Sequence, residues 1–372
     1  MDNVLTTDVL ILGCGIAGGT AALKLADAGV DVVVVTRAAD PADTNTYYAQ
    51  GGIMWPGAGE DSLELAAHDI SAAGHGHCLP RAVETVTAEG HKLVPRVLFE
   101  RLQVPFDTDS QGRPKLIREA AHSASRILHA ADATGAAIEG ALIEALRNHP
   151  RVQLLCGCTA VDLLTPAHHS RNRQAIYEQP SCVGAYLYDS EQRGVLRCIA
   201  RNTVLATGGL GRLFLRTTNP SGARGDGLAM AQRAGARVIN TEFVQFHPTT
   251  FHHPHSQNFL VSEAVRGAGA RLIDGEGNTF MHHYDPEWGD LAPRDVVARG
   301  IHQQMLFSGE PNVYLDAASY MSTDYILESF PTIHRSCLEY GVDMTKEPIP
   351  VVPAAHYSCG GVWVDSEGHT TI

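Results

Sequence analysis

Five short segments carry residues whose types and spacing could do chemistry. In Gln245-Phe246-His247-Pro248-Thr249 a histidine precedes a proline, which holds it in extended backbone. In Leu291-Ala292-Pro293-Arg294-Asp295 an arginine falls in the first turn of a helix, with Pro293 near N1. The helix dipole disfavours a cation there, so Arg294 is either placed for a function or offset by Asp295. Arg118-Glu119-Ala120-Ala121-His122 is a charged cluster ahead of a helical pattern, and Ala355-His356-Tyr357 precedes Cys-Gly-Gly. Thr44 to Gly52, TNTYYAQGG, is a polar loop closing on two glycines, suited to lie along a flat ring. An Arg/His pocket of this kind could bind an anion even in an acidic chain. The bland alternative stays open at this level: loop histidines, and an arginine paired with Asp295 at the surface.

The elements that position these segments suit a nucleotide-binding α/β protein. The 372 residues are enough for one large core or two ordinary ones, with 36 glycines and only 6% aromatic residues. Asp8 to Leu12 is a buried parallel strand, followed by GCGIAGG, a helix from Thr20 to Ala28 ended by Gly29, and a second strand from Asp31 to Thr36. Gly13, Gly15 and Gly18 thus occupy GxGxxG positions in a βαβ unit, where a tight turn brings backbone and a helix N-terminus to a pyrophosphate. An acid usually follows the second strand when NAD is bound; Thr36-Arg37 stands there instead, which leaves FAD open. Leu63 to Gly74, Pro80 to Leu102 and Ser123 to Asn148 read as helices. Val152 to Leu164, Val183 to Asp189 and Val195 to Ala206 are strand-like around a polar hairpin region, His168 to Pro180. VWVD near the end reads as a strand. From Val238 the character changes to polar loops and short helices, so the chain divides into a nucleotide-binding part at 1–237, an inserted domain at 238–352 and a return at 353–372.

Composition excludes several classes. A net charge of −13 argues against nucleic acid and against an anionic membrane surface. The stretch Val9 to Val35 is cut by Lys24, Asp27 and Asp31 and is no membrane span. Asp2 and Asp8 flank a start that runs straight into a strand, so no signal peptide is read and a cytoplasmic setting is expected. The eight cysteines form no CxxC pair, Cys156 and Cys158 read as strand residues, and all suit free thiols in a reducing compartment. Nineteen histidines include His252-His253-Pro254-His255, but no HExxH or Cys/His ligand spacing occurs, so no metal is expected.

The runs YAQGG, RILHAADATG, TTNP, GDG, QFHPT, LAPRDVVAR and VPAAHYSCGG, spread in order over nearly the whole sequence, resemble the L-aspartate oxidases, within the succinate dehydrogenase and fumarate reductase flavoproteins. The resemblance implies a Rossmann-like FAD-binding domain with an inserted α+β capping domain, and hydride transfer between a dicarboxylate-like substrate and flavin. His247 and His356 would be carboxylate ligands, since histidine adds a charge-assisted donor beside arginine. Arg294 would be the proton shuttle. Gln245 would hold substrate or a flavin oxygen, and Ser262 and Glu263 match a Thr-Glu pair that supports the dicarboxylate. Glu119 matches the position that orients the substrate ammonium. Cofactor contacts are expected from Gly13, Cys14, Gly15, Ile16, Ala17 and Gly18, from Arg37, from Asn45, Thr46, Tyr47, Tyr48, Ala49, Gln50, Gly51 and Gly52, and from Val161 and Asp226. Asn45 stands where succinate dehydrogenases carry the histidine for covalent attachment, so the FAD is expected to be non-covalent.

The resembling pattern REGGHSHRR reads REAAHSASR here. Ala120 and Ala121 should stiffen that loop, Ala124 and Ser125 replace a His-Arg pair, and Ala268 stands where an acid is usual. Past VPAAHYSCGG the family continues to a GLYAIGE segment, a carboxylate-clamping arginine and a helical bundle, and the expectation is that this C-terminal part is missing. The function implied is oxidation of L-aspartate to iminosuccinate with oxygen or fumarate as acceptor, feeding quinolinate and NAD synthesis, with possible channelling to quinolinate synthase. The alternatives are an inactive flavoprotein remnant and a fumarate reductase or succinate dehydrogenase-type flavoprotein, the latter disfavoured by Asn45 and Glu119.

Overall fold

The computed structural model describes residues 4–119, 121–256 and 259–372; Asp2 and Ala120 lie outside them. Strand β1 (Val4–Leu12) enters the glycine turn and helix α1 (Ile16–Asp27), which returns to β2 (Val32–Val35). The helix starts four residues earlier than the sequence suggests, because Gly15 in extended backbone already serves as its N-cap. Then come β3 (Ile53–Met54), α2 (Leu63–Ala73), α3 (Pro80–Val94), β4 (Leu116–Ile117), β5 (Ile127–Leu128), α4 (Thr134–Asn148), β6 (Val152–Leu155) and β7 (Cys158–Leu163). A single turn α5 (Pro166–His169), β8 (Gly184–Asp189), β9 (Gly194–Leu205), α6 (Asp226–Arg233) and β10 (Val238–Ile239) follow. The remainder is β11 (Val244–Phe251), α7 (Glu263–Gly267), β12 (Arg271–Ile273), α8 (Arg294–Ser308), β13 (Val313–Asp316), α9 (Thr323–Ser329), α10 (Pro331–Leu338), β14 (Ile349–Ser358) and β15 (Gly361–Val362).

Six strands form the larger sheet in the order β6-β2-β1-β9-β8-β7. β6, β2, β1 and β9 are parallel, while β8 and β7 extend the sheet antiparallel. The strand alternation splits its core in two. Val9 and Ile11 pack with α1 and α4 side chains such as Leu23, Leu142 and Leu146, whereas Leu10 and Leu12 face Leu187, Cys198 and Met230. A separate antiparallel sheet, β11-β14-β13-β12, has its own core of Phe251, Leu272, Val297, Ile301, Leu315, Ile333 and Val351. Strand β14 runs unbroken across position 352/353, carrying the chain from the second core back beside the first.

Four local readings are corrected. Residues 123–133 are not helix: Ile127–Leu128 is a strand, because Arg126 is drawn into a buried ion-pair cluster. The helix after Pro80 changes at Pro95 into a π-helical segment, Pro95–Arg101, since proline has no N–H to continue the ladder. Cys156 sits in the turn between β6 and β7, at whose centre Gly157 takes φ +67, and only Cys158 is in a strand. The expected strand at VWVD is reduced to Gly361–Val362, which pairs with Val238–Ile239.

Candidate active site

The glycine turn is built so that no side chain fits. A Cβ on Gly13, whose φ is +108, would lie 2.1 Å from the Ala206 carbonyl oxygen, and one on Gly18 would lie 2.0 Å from that of Gly13. The turn is therefore pressed onto the end of β9, and helix α1 presents its N-terminus with no acidic residue in the first turn, a combination that accepts an anion. Cys14 is buried, donates to the Pro41 carbonyl (3.1 Å), and burial pushes its thiol up to about 11, so it is inert packing beside the turn. The loop from Thr44 to Gly52 lies against this turn and the start of α4: the Ile16 N–H donates to Thr46 Oγ1 (3.0 Å) and the Gly135 N–H to the Ala49 carbonyl (2.8 Å). Asn45 adjoins Gly208 in the turn after β9. Tyr47 and Tyr48 meet edge to face and are largely exposed.

Arg37 pairs with Asp226, the first residue of α6, and also donates to the Gly222 carbonyl, so these two predicted cofactor residues hold each other. Val161 sits half exposed on β7, and its carbonyl accepts from Arg233 at the far end of α6 from Asp226. Gln50 Oε1 is buried and has no hydrogen-bond partner among the described residues. A side-chain-free cradle at a helix N-terminus, a polar loop beside it and this orphaned acceptor fit a dinucleotide with a flat ring.

Across from the loop, the second sheet brings the other predicted residues together. β11 carries Gln245 and His247, α7 starts at Glu263, α8 starts at Arg294, and β14 delivers His356. Arg294 Nε donates to Glu263 Oε2 (2.7 Å) and its Nη1 to Gln245 Oε1 (3.1 Å). Pro293 is the N-cap of α8 rather than N1, and Asp295 pairs with Arg299, so the cation in the first turn is balanced by Glu263 from another helix. The His247 and His356 rings meet edge to face, with centroids 5.2 Å apart. Burial, then the charge of Arg294, holds His356 down to about 4, and burial with the Arg294, His356 and Arg266 charges holds His247 well below its ordinary value. Both rings are therefore neutral at pH 7. Ser262 is buried and its hydroxyl oxygen caps α7 by accepting from the Ala264 N–H (3.2 Å).

Glu119 closes the arrangement from the opposite side. Its carboxylate accepts from the Gly52 N–H (3.4 Å); burial raises its pKa, the Gly52 hydrogen bond and Arg294 lower it, and Glu263 raises it. It thus lies in the field of the Arg294–Glu263 pair. Beneath its loop, Arg126 binds Asp61 and Asp69, and Asp69 also accepts from the Ser123 N–H and hydroxyl. Ala121, expected to stiffen this loop, adopts φ +63, a left-handed conformation that costs an alanine about 1–2 kcal/mol.

Sequence reasoning missed Arg266, Arg126, Thr218 and Asn219. Arg266 is fully buried on α7, 3.7 Å from Glu263, with Nη1 donating to the Asp290 carbonyl. Its signal was the arginine in SEAVRG, three residues after Glu263 and hence on the same helix face. Thr218 and Asn219 lie in TTNP and contact His356.

A dinucleotide cradle facing a second sheet that carries arginine, paired histidines and carboxylates defines a flavoprotein. Residues 8–372 match the FAD binding domain family. The chain is 43% identical to L-aspartate oxidase of Pseudomonas aeruginosa over 98% of its own length and 67% of that protein. It is 42% identical to that of Halobacterium salinarum over 100% and 69% respectively. It belongs to the L-aspartate oxidase family of FAD-binding flavoproteins. Among solved structures, E. coli quinol fumarate reductase superposes with a TM-score of 0.88 at 27% identity, covering 100% of this chain and 64% of that one. The chain therefore spans about two thirds of the length of these relatives. Among the described residues no helix is long and apolar enough to cross a membrane.

Proposed function

We propose that these residues bind FAD non-covalently and oxidise L-aspartate to iminosuccinate, with oxygen or fumarate reoxidising the flavin, as a step toward quinolinate and NAD. The observation that carries the reading is Glu119 set against the Arg294–Glu263–Gln245 cluster: carboxylate-binding donors on one side, an acid for an ammonium on the other. FAD supplies the two-electron acceptor. Arg294 relays a substrate proton: its Nε–H proton passes to Glu263, which lies between Arg294 and the buried Arg266, as the guanidinium takes one from substrate, so its charge is unchanged. A guanidinium has no lone pair with which to accept a proton, so it must give one to the directly bonded carboxylate as it takes one up. His247 and His356 bind the substrate carboxylates as neutral donors, and Glu119 orients the ammonium.

The fold likeness to fumarate reductase favours a second reading, a dehydrogenase of succinate. Asn45 and Glu119 speak against it. Anaerobic addition of L-aspartate to the FAD-loaded chain decides. Bleaching of the flavin supports the oxidase; bleaching by succinate and not aspartate overturns it; bound flavin that neither compound bleaches marks a cofactor-binding remnant.

A further inference from the structure

The TTNP run directs three consecutive side chains at one target. Thr217 Oγ1 donates to the Ala355 carbonyl (2.8 Å), Asn219 Nδ2 donates to the His356 carbonyl (2.9 Å), and Thr218 Oγ1 lies 2.7 Å from His356 Nδ1. The Ala355 N–H in turn donates to the Arg216 carbonyl (2.9 Å). Backbone on both sides of His356 and one of its ring nitrogens are thereby fixed to a single segment.

Hydrogen counting assigns the tautomer. A threonine hydroxyl has one proton and two acceptor sites, while an amide nitrogen only donates. Asn219 Nδ2 also approaches Thr218 Oγ1 at 3.5 Å, filling an acceptor site on that oxygen. Its own proton then has Nδ1 as partner. With the proton on Nδ1 instead, the threonine oxygen would receive two donors and its own hydrogen would have no acceptor among the described residues. The neutral ring therefore carries its hydrogen on Nε2, which makes no hydrogen bond among the described residues. A carboxylate only accepts, so a bare Nε2 would meet it lone pair to lone pair.

We propose that Thr218 is a positioning residue that locks His356 in the Nε2–H tautomer, presenting an uncharged donor to a substrate carboxylate. The carboxylate half of this rests on the proposed function; the tautomer half does not.

The test is a two-bond proton–nitrogen correlation spectrum of the FAD-loaded, histidine-labelled chain near neutral pH, with His356 assigned by its loss in H356N. The wild-type ring should show Nε2 protonated. T218V should give mixed tautomers and bind succinate about tenfold more weakly, a loss of roughly 1.4 kcal/mol, while T218S keeps both properties. A wild-type ring protonated on Nδ1 overturns the proposal without any variant, as does a folded T218V with unchanged tautomer and affinity. If the tautomer shifts as expected but neither protein binds succinate, the reading of the site fails and the donor role falls with it.

Discussion

Asp69 and Arg126 meet at 2.6 Å beneath the loop that carries Glu119, with both side chains almost wholly out of water. Arg126 also binds Asp61 at 2.7 Å, so one guanidinium is shared by two buried carboxylates. Removing it leaves two unpaired charges, a loss worth about 3–5 kcal/mol. R126M should lower the unfolding free energy by that amount in a denaturant titration, and D61N/D69N/R126M should recover most of it. A cost under about 1 kcal/mol for R126M would mean that the cluster is not closed to water as the structure has it.

His247 and His356 make the fold acid-sensitive. His356 is held at about 4, against an ordinary 6.5. It takes up its proton on unfolding, so acid favours the unfolded chain; the stability is intact above 6.5 and lost as pH falls toward 4. His356 alone should remove about 2 kcal/mol between about pH 7.5 and pH 5, and His247 acts in the same direction. H356N should flatten the dependence of unfolding free energy on pH over this window; an unchanged slope would place the acid sensitivity elsewhere.

Glu119 is the residue that should separate amino-acid from dicarboxylate substrates. E119Q keeps the size and the acceptor for the Gly52 amide but removes the charge facing an ammonium. A buried charge-assisted hydrogen bond contributes roughly 1.5–3 kcal/mol, so KM for L-aspartate should rise about tenfold or more while succinate binding is unchanged or improves. Equal losses for both ligands would assign Glu119 to loop structure alone.

Arg294 is the proton carrier of the proposed function. R294K retains a cation but not the planar fork that reaches Glu263 and Gln245 together. Turnover should fall by about 10²–10⁴-fold, the range for a lost proton-transfer group, with FAD content unchanged. Activity near wild type in R294K would move the proton route to another residue.

How much of this was legible depended on range. The βαβ unit was readable because its signals are local: apolar strands, glycines at fixed spacing, and a helix-ending Gly29. The candidate site residues were nominated from short runs and from resemblance, yet their mutual geometry was not visible, since Glu263 and Arg294 are 31 positions apart and meet only through two helix starts. The helix predicted from Ser123 failed for the same reason. Its pattern there is set by Arg126 reaching 65 residues back to Asp61, which no local window contains. Thr218 went unread because a threonine becomes informative only when its partner, 138 residues on, is known.

Asp132 joins the two cores in a way the sequence could not display. Sitting between β5 and α4, its Oδ2 accepts from the Thr332 N–H (2.9 Å) and the Ile333 N–H (3.0 Å), capping α10 of the other core. The carboxylate is buried and meets the positive end of the helix dipole. Loss of a cap costs about 0.5–2 kcal/mol, and here the lost contact lies between units rather than within one. D132A should therefore speed hydrogen exchange at the Thr332 and Ile333 amides by about tenfold or more, since each 1.4 kcal/mol is a factor of ten. Amides in the Leu142 region of α4 should keep their wild-type protection. D132N, which retains an acceptor oxygen, should lie between the two. Uniform acceleration across both cores in D132A would instead show that they unfold as one cooperative unit, and that Asp132 supports the whole fold rather than the seating of α10.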